Sequence, residues 1–281
     1  MVMFREPIDP PSPKVLKKNK DTGDPIVTWR LTDLWTRAII GIIGIILPIL
    51  FIIGEWFFLR GGVHVRGSLS AYYHTSMRDI FVAGLCVIGF FLATYMSGQA
   101  KTTGFWLSLV AGVAVIGVVF FPTMRPHLLP DAPRCGATPM PEGCSSIQQQ
   151  LGERPVASIH FTLATIFILS LAAMCFFVFA KDEEKRSKRP EMVTDPRMAT
   201  IVQACGWIIL GAVAWVIVGG LLKVTIWELT PLYVGELISV WAFSAAWLFK
   251  ARDLWKALGP RAADNAAEPR ARGPMNVEPT A

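Results

Sequence analysis

Charge is scarce in this chain: Asp, Glu, Lys and Arg make up 17% of the 281 residues, where a soluble domain carries about 25%. Only four histidines and five cysteines are present, too few for a disulfide-dense scaffold. There is no phosphate loop, dinucleotide fingerprint, nucleophile elbow or haem-type histidine pair, and no internal repeat at any useful period. The two three-helix halves do not align by motif, which gives an inverted-repeat transporter little support. No charged n-region with a short apolar core and cleavage site opens the chain, so a cleaved signal peptide is not expected.

What fills the sequence is apolar mass, 53% of residues with a mean hydropathy of +0.45. It comes in long unbroken blocks rather than in 3.6- or 2-residue periods, which excludes a disordered chain and an ordinary cytosolic enzyme. A helix crosses a bilayer with about 20 mostly apolar residues, satisfying its own backbone hydrogen bonds as it goes. Six blocks qualify: 38–59, 80–100, 102–124, 155–180, 198–222 and 232–249. The expected fold is all-α, a six-helix transmembrane bundle over residues 31–258, with unstructured tails at 1–30 and 259–281. Ser108 with Gly112, and Ala242 with Ala246, are small residues four apart that favour close helix packing. Pro48 falls inside the first span and is expected to kink it.

Orientation follows from the Lys/Arg bias of the connections. With both termini inside, 20 of the 27 Lys and Arg residues fall on the inner side, including Lys14, Lys17, Lys18, Lys20, Lys185 and Arg186. The chain is therefore read as a multi-pass plasma (inner) membrane protein with both termini cytoplasmic. Its partner is the lipid bilayer, with a lipid or small-molecule substrate to be considered. These basic flanks also account for the net charge of +6, and no basic groove interleaved with aromatics points to nucleic acid. The run Lys181–Arg197 reads as a solvated headgroup-facing loop.

Three cysteines (Cys86, Cys175, Cys205) lie inside spans, where a thiol acts as a small apolar group. Cys135 and Cys144 lie nine residues apart in the long outer loop 126–154. They close a disulfide if that compartment is oxidising; the alternative is two unpaired loop thiols.

Ionisable groups in or beside spans are functional candidates by default. Glu55, Asp79, His160 and Glu236 all fall toward the outer face, while the inner halves of the spans carry almost no such groups. The densest stretch is Gly67–Asp79, which contains Ser70, His74, Arg78 and Asp79. As a helix it places Ser70, His74 and Arg78 on one stripe, with Asp79 about 140° around from His74. One straight helix cannot aim both at one ion, so a break near Thr75–Ser76 is expected, with Ser76 as the cap of a helix starting near Met77.

Two readings compete here. In the first, His74, Asp79 and His160 ligate a metal, zinc being suited to imidazole and carboxylate donors, with Glu236 or Glu55 nearby and an open position to activate water. In the second the groups are structural: Arg78 pairs with Glu55 or Glu236, Asp79 caps span 2, and His160 donates to a neighbouring helix. His64 and His127 are expected to be exposed loop residues.

The segment Ser-Ala-Tyr-Tyr-His followed by Met-Arg-Asp-Ile-Phe-Val, within residues 68–82, resembles a family of uncharacterised bacterial multi-pass membrane proteins. The spacing of Ser70 and His74, followed by an aspartate, also resembles the alkaline ceramidase and adiponectin-receptor superfamily of seven-span, zinc-dependent lipid amidases. That resemblance implies that Ser70, His74 and Asp79 belong to a metal-hydrolase site; Ser70, and Glu236 from its place in the last span, are the catalytic candidates. This chain departs from the pattern in having six spans, a single late histidine (His160), and an aspartate five residues after His74. Three functional classes follow: a metal-dependent lipid or amide hydrolase at the outer leaflet, a small-solute or proton binding or transport protein, and a non-catalytic membrane subunit or scaffold.

Overall fold

The protein is described by a computed structural model covering residues 25–59, 65–95, 102–125, 132–181, 197–225 and 229–267. The expectations for His64, His127, the extreme tails and most of the charged inner loop lie outside those residues.

Every regular element described is helical. The chain forms α1 (Pro25–Leu59), a short 3₁₀ helix (Leu69–His74), α2 (Arg78–Tyr95), α3 (Thr103–Phe120) and α4 (Ser146–Leu151). These are followed by α5 (Glu153–Met174), α6 (Met198–Leu221) and α7 (Pro231–Ala267). Past Met174 the α5 helix widens over Cys175–Phe179, where the Ala180 amide bonds the Cys175 carbonyl, a π-turn. Six helices are long and apolar enough to cross a membrane. Large apolar side chains stand exposed on their outer faces, among them Phe57, Phe90, Trp106, Trp207 and Leu221. Such a surface is a lipid-facing one.

The helix ends differ from the sequence reading at both termini. α1 begins at Pro25 and α7 runs on to Ala267, so residues 25–30 and 259–267, assigned above to tails, are helical. The long loop between α3 and α5 holds its own helix, α4, which opens on a capping box: Ser145 Oγ accepts from Gln148 N, and the Gln148 side chain accepts from Ser145 N. The Ser-x-x-Gln signature that announces it is present in the sequence.

Consecutive spans pack side by side around a ring, α1, α2, α3, α5, α6 and α7, and α7 closes back on α1. Small residues make those contacts close, as they must where lipid supplies no hydrophobic drive between helices. At the α2–α3 crossing, a Cβ on Gly112 would lie 2.6 Å from the Gly89 carbonyl and 2.7 Å from the Ala93 amide. The same crossing is bonded across its backbone by the buried Ser108 hydroxyl, which donates to the Leu92 carbonyl. At α1–α7, a Cβ on Gly44 would collide with the Ser244 hydroxyl.

A ring of six helices leaves an axis to fill. Trp247, Phe179 and Phe243 fill one end, Trp247 standing edge-on to both phenylalanines. The 3₁₀ helix fills the other, burying Leu69, Ser70, Ala71 and Tyr72 between the spans.

Candidate functional site

The 3₁₀ helix is a plug, and its anchoring explains why this sequence folds inward. Ser68 caps its start by accepting from Ala71 N at 3.0 Å. The Leu69 amide donates to Glu236 Oε2 at 2.6 Å, and Thr230 Oγ1 donates to the Gly67 carbonyl at 2.5 Å. Both anchors come from the start of α7, so the entry to the plug is tied to that helix.

The break falls at Thr75, within the Thr75–Ser76 step where it is expected. Thr75 is extended (φ −120°, ψ −179°), its hydroxyl donates to the Tyr72 carbonyl at 2.9 Å, and the same oxygen accepts from Met77 N at 3.1 Å. Thr75 thus does the capping assigned above to Ser76, and α2 begins at Arg78.

Arg78 pairs with neither Glu55 nor Glu236. Its Nε donates to the Tyr73 carbonyl at 2.9 Å and its guanidinium lies 4.8 Å from the Tyr73 ring centre, a local stacked arrangement that holds it beside the plug. The partner of Glu55 is Arg66, whose Nε donates to Glu55 Oε1 at 2.7 Å while its Nη2 reaches the same oxygen. Glu55 is 1% exposed, and its second oxygen, Oε2, has no hydrogen-bond partner among the described residues. Asp79 is exposed in the first turn of α2, where a carboxylate complements the helix dipole.

Both described histidines meet backbone carbonyls, His74 through both ring nitrogens and His160 through Nδ1, its Nε2 being buried without a partner among the described residues. His74 Nε2 lies 2.7 Å from the Thr123 carbonyl and Nδ1 lies 3.3 Å from that of Gly143. Burial holds the His74 imidazole below its usual range, since desolvation outweighs the two carbonyls that favour the charged ring. His160, 1% exposed, donates from Nδ1 to the Phe121 carbonyl at 2.7 Å. That carbonyl belongs to the residue capping the end of α3, where helical N–H donors have run out.

These placements do not fit zinc. Both ring nitrogens of His74 face carbonyl oxygens, Asp79 is exposed, and His160 is buried in α5. Among the described residues, the trio of candidate ligand atoms within 4.8 Å of one another is that of Cys135, Cys144 and Glu153. There the two sulfurs are joined as a disulfide, and the carboxylate is taken by Arg125, which donates to Glu153 Oε1 from Nε at 3.0 Å and from Nη2 at 2.5 Å. Arg125 also donates to the Glu142 and Pro133 carbonyls at 2.9 and 2.8 Å. It is therefore the hub that folds the α3–α5 loop over the plug.

The residues that do converge lie one layer inward. Glu236, half-buried, lines a cavity of about 90 Å³ with Ser70 beside it. The rest of the wall is almost wholly apolar, drawn from α1 (Leu47, Phe51), α2 (Phe81, Leu85), α3 (Val115), α5 (Ala164, Phe167) and α7 (Val240, Phe243). Tyr72 and Tyr233, 0% and 2% exposed, pack in one apolar cluster with the wall residues Leu47, Phe51 and Phe81. Their hydroxyls are neighbours, yet neither closes a hydrogen bond of good geometry. Tyr72 stacks on Phe51 with ring centres 5.0 Å apart and lies within electrostatic reach of Glu55 and Arg66. Burial, with Tyr233 and Glu55 adding to it, pushes the Tyr72 hydroxyl well above its usual range, so it stays neutral.

Sequence reasoning missed Arg66, Tyr72, Tyr233, Arg125 and Glu153. The arginines and Glu153 read as charged flanks of spans, and a tyrosine near a span end reads as a belt residue. No periodicity separates those roles from a buried one. Searched against family models, curated proteins and solved structures, the chain matches none.

Proposed function

We propose that this multi-pass membrane protein is a binding protein for a small amphiphile, held in the bundle with its apolar body in the cavity and its polar head at Glu236 and Ser70. The observation that carries the reading is the make-up of the wall: five spans and the plug contribute apolar side chains, and the ionisable group among them is a glutamate at the plugged end. Ligand sites are characteristically this mixture, apolar walls with a few convergent polar groups. An apolar cavity of roughly 150 Å³ accommodates benzene, so a space of about 90 Å³ takes a short alkyl body.

We read the plugged end as facing outward, with the termini cytoplasmic, because the tails and connections assigned to the other side of the spans in the sequence carry 20 of the 27 Lys and Arg residues. The hydrolase reading asks more of the same residues. It needs His74, Asp79 and His160 to share an ion and Ser70 to stand by it, whereas Ser70 lies on the cavity wall, both ring nitrogens of His74 face carbonyls and Asp79 is exposed.

The test is photolabelling of the detergent-purified protein with a neutral butyl-chain diazirine, followed by peptide mapping. Label is expected on the cavity residues Phe51, Phe167 and Phe243, and Ala164→Phe, which fills the space, is expected to abolish it there. Label on lipid-facing Phe90 and Trp106 should persist in that variant. Labelling confined to lipid-facing residues in the wild type would overturn the reading.

A further inference from the structure

One cluster of reactive side chains lies apart from the cavity. In the loop between α3 and α5 and the first turn of α5, Cys135 Sγ, Cys144 Sγ and a carboxylate oxygen of Glu153 lie within 4.8 Å of one another. All three residues are buried, at 8%, 7% and 5% exposure. The sulfurs are joined to each other, and in that state they do not serve a metal, whose ligand is the thiolate. The carboxylate is only half used. Its Oε1 accepts from Arg125 and, at 3.2 Å, from the Cys135 amide. Its Oε2 is buried with no hydrogen-bond partner among the described residues. Buried polar atoms are as a rule satisfied, so Glu153 keeps beside the two sulfurs an acceptor that the fold itself does not use.

Reduction changes what the cluster can hold. With a trialkylphosphine as reductant, one phosphine, one disulfide and one water give one phosphine oxide and two thiols. Zinc then takes both sulfurs as thiolates, each thiol giving its proton to solvent. Two Zn–S bonds of about 2.3 Å at the tetrahedral angle set the sulfurs about 3.8 Å apart, inside the distance that already encloses the three ligand atoms. Charge selects the same ion. Two thiolates and the carboxylate carry three negative charges, and a divalent ion together with the Arg125 guanidinium on Glu153 Oε1 carries three positive. The buried site is then neutral, where an uncompensated charge would be costly. Thiolate donors favour zinc over magnesium and calcium, and water completes the tetrahedron beside three protein ligands.

We propose that Cys135, Cys144 and Glu153 form a zinc site in the reduced protein, the ion closing the loop that the disulfide closes in the oxidised one. That loop carries Gly143, whose carbonyl faces His74 on the plug, so either closure keeps the loop against the end of the bundle. The site shares no residue with the cavity and stands or falls independently of the ligand reading.

The experiment is metal titration of the detergent-purified full chain, reduced with the phosphine and desalted without oxygen. By elemental analysis, the reduced wild type is expected to retain one zinc per chain through a second desalting, and the disulfide form none. Cobalt in place of zinc reports the ligand atoms: a thiolate-to-cobalt charge-transfer band is expected, and one equivalent of zinc should bleach it. The double variant carrying Cys135→Ser and Cys144→Ser keeps the three free cysteines Cys86, Cys175 and Cys205, and should lose both the band and the retained zinc. Glu153→Gln should keep the band at saturating cobalt while weakening zinc binding at least about tenfold, the loss seen even for groups one shell removed from a metal. Zinc retained equally by the disulfide form or by the double variant, a reduced wild type that retains none, or a disulfide that the phosphine leaves intact overturns the site. Unchanged zinc affinity in Glu153→Gln overturns the three-ligand assignment.

Discussion

At His74 one ring is set between two backbone carbonyls, at 2.7 and 3.3 Å, and a neutral imidazole has only one N–H to give. Burial decides the outcome by disfavouring the charged ring. In the unfolded chain the imidazole takes up a proton near pH 6.5; folded, it resists until lower pH. The unfolded state thus binds more protons across that window, and stability falls as pH drops through it. The thermal midpoint in detergent is expected to decline between about pH 7 and pH 5, with a shallower decline in His74→Gln. A wild type that gains stability over that range would show that the two carbonyls win instead. The same residue marks what is legible at this scale. The sequence identifies Ser70, His74, Glu55 and Glu236 as polar groups gathered toward one end of the bundle. It does not reveal their partners, because the carbonyls facing His74 lie 49 and 69 residues away and Arg66 is one of several basic residues on the side assigned as outer.

Elements are the most legible layer wherever composition alone decides them. The spans are announced by length and apolarity, since a helix satisfies its own backbone in lipid. The plug is harder to see. A helical stripe through Ser70, His74 and Arg78 would extend span 2 outward, but Thr75 satisfies both the carbonyl behind it and the amide ahead of it, and that turn sends residues 69–74 into the ring. Helix packing follows the small residues. Gly112→Ala pushes a methyl against the α2 backbone and is expected to destabilise the bundle by about 1–3 kcal/mol. At Gly211 on α6 an added methyl would meet nothing within 4 Å, so Gly211→Ala is expected to be neutral, or to stabilise by up to about 1 kcal/mol through helix propensity. Thermal midpoints of the pair in one detergent check this, and equal effects at both positions would contradict the close α2–α3 approach.

The whole molecule is a ring of helices stoppered at one end by its own chain. The plug is tied to α7 by Glu236 and Thr230 and overlaid by a loop that Arg125 and the Cys135–Cys144 disulfide hold together. An apolar space is left under a polar lid. On the orientation proposed from the Lys/Arg bias, that lid faces outward. In intact cells, a membrane-impermeant maleimide is therefore expected to label a cysteine introduced by Thr138→Cys and to miss one introduced by Lys188→Cys; the reverse pattern would invert the topology. That an enclosed space exists here is beyond the sequence, since it depends on which faces of five spans meet.

Whether this space binds a ligand is measured most directly by calorimetric titration of n-butanol into the wild type and Ala164→Phe in identical lipid nanodiscs. One saturable site per chain in the wild type, lost in the variant, is the expected result. Heat that never saturates and is the same for both proteins would mean partition into lipid, and would contradict a binding site in the bundle.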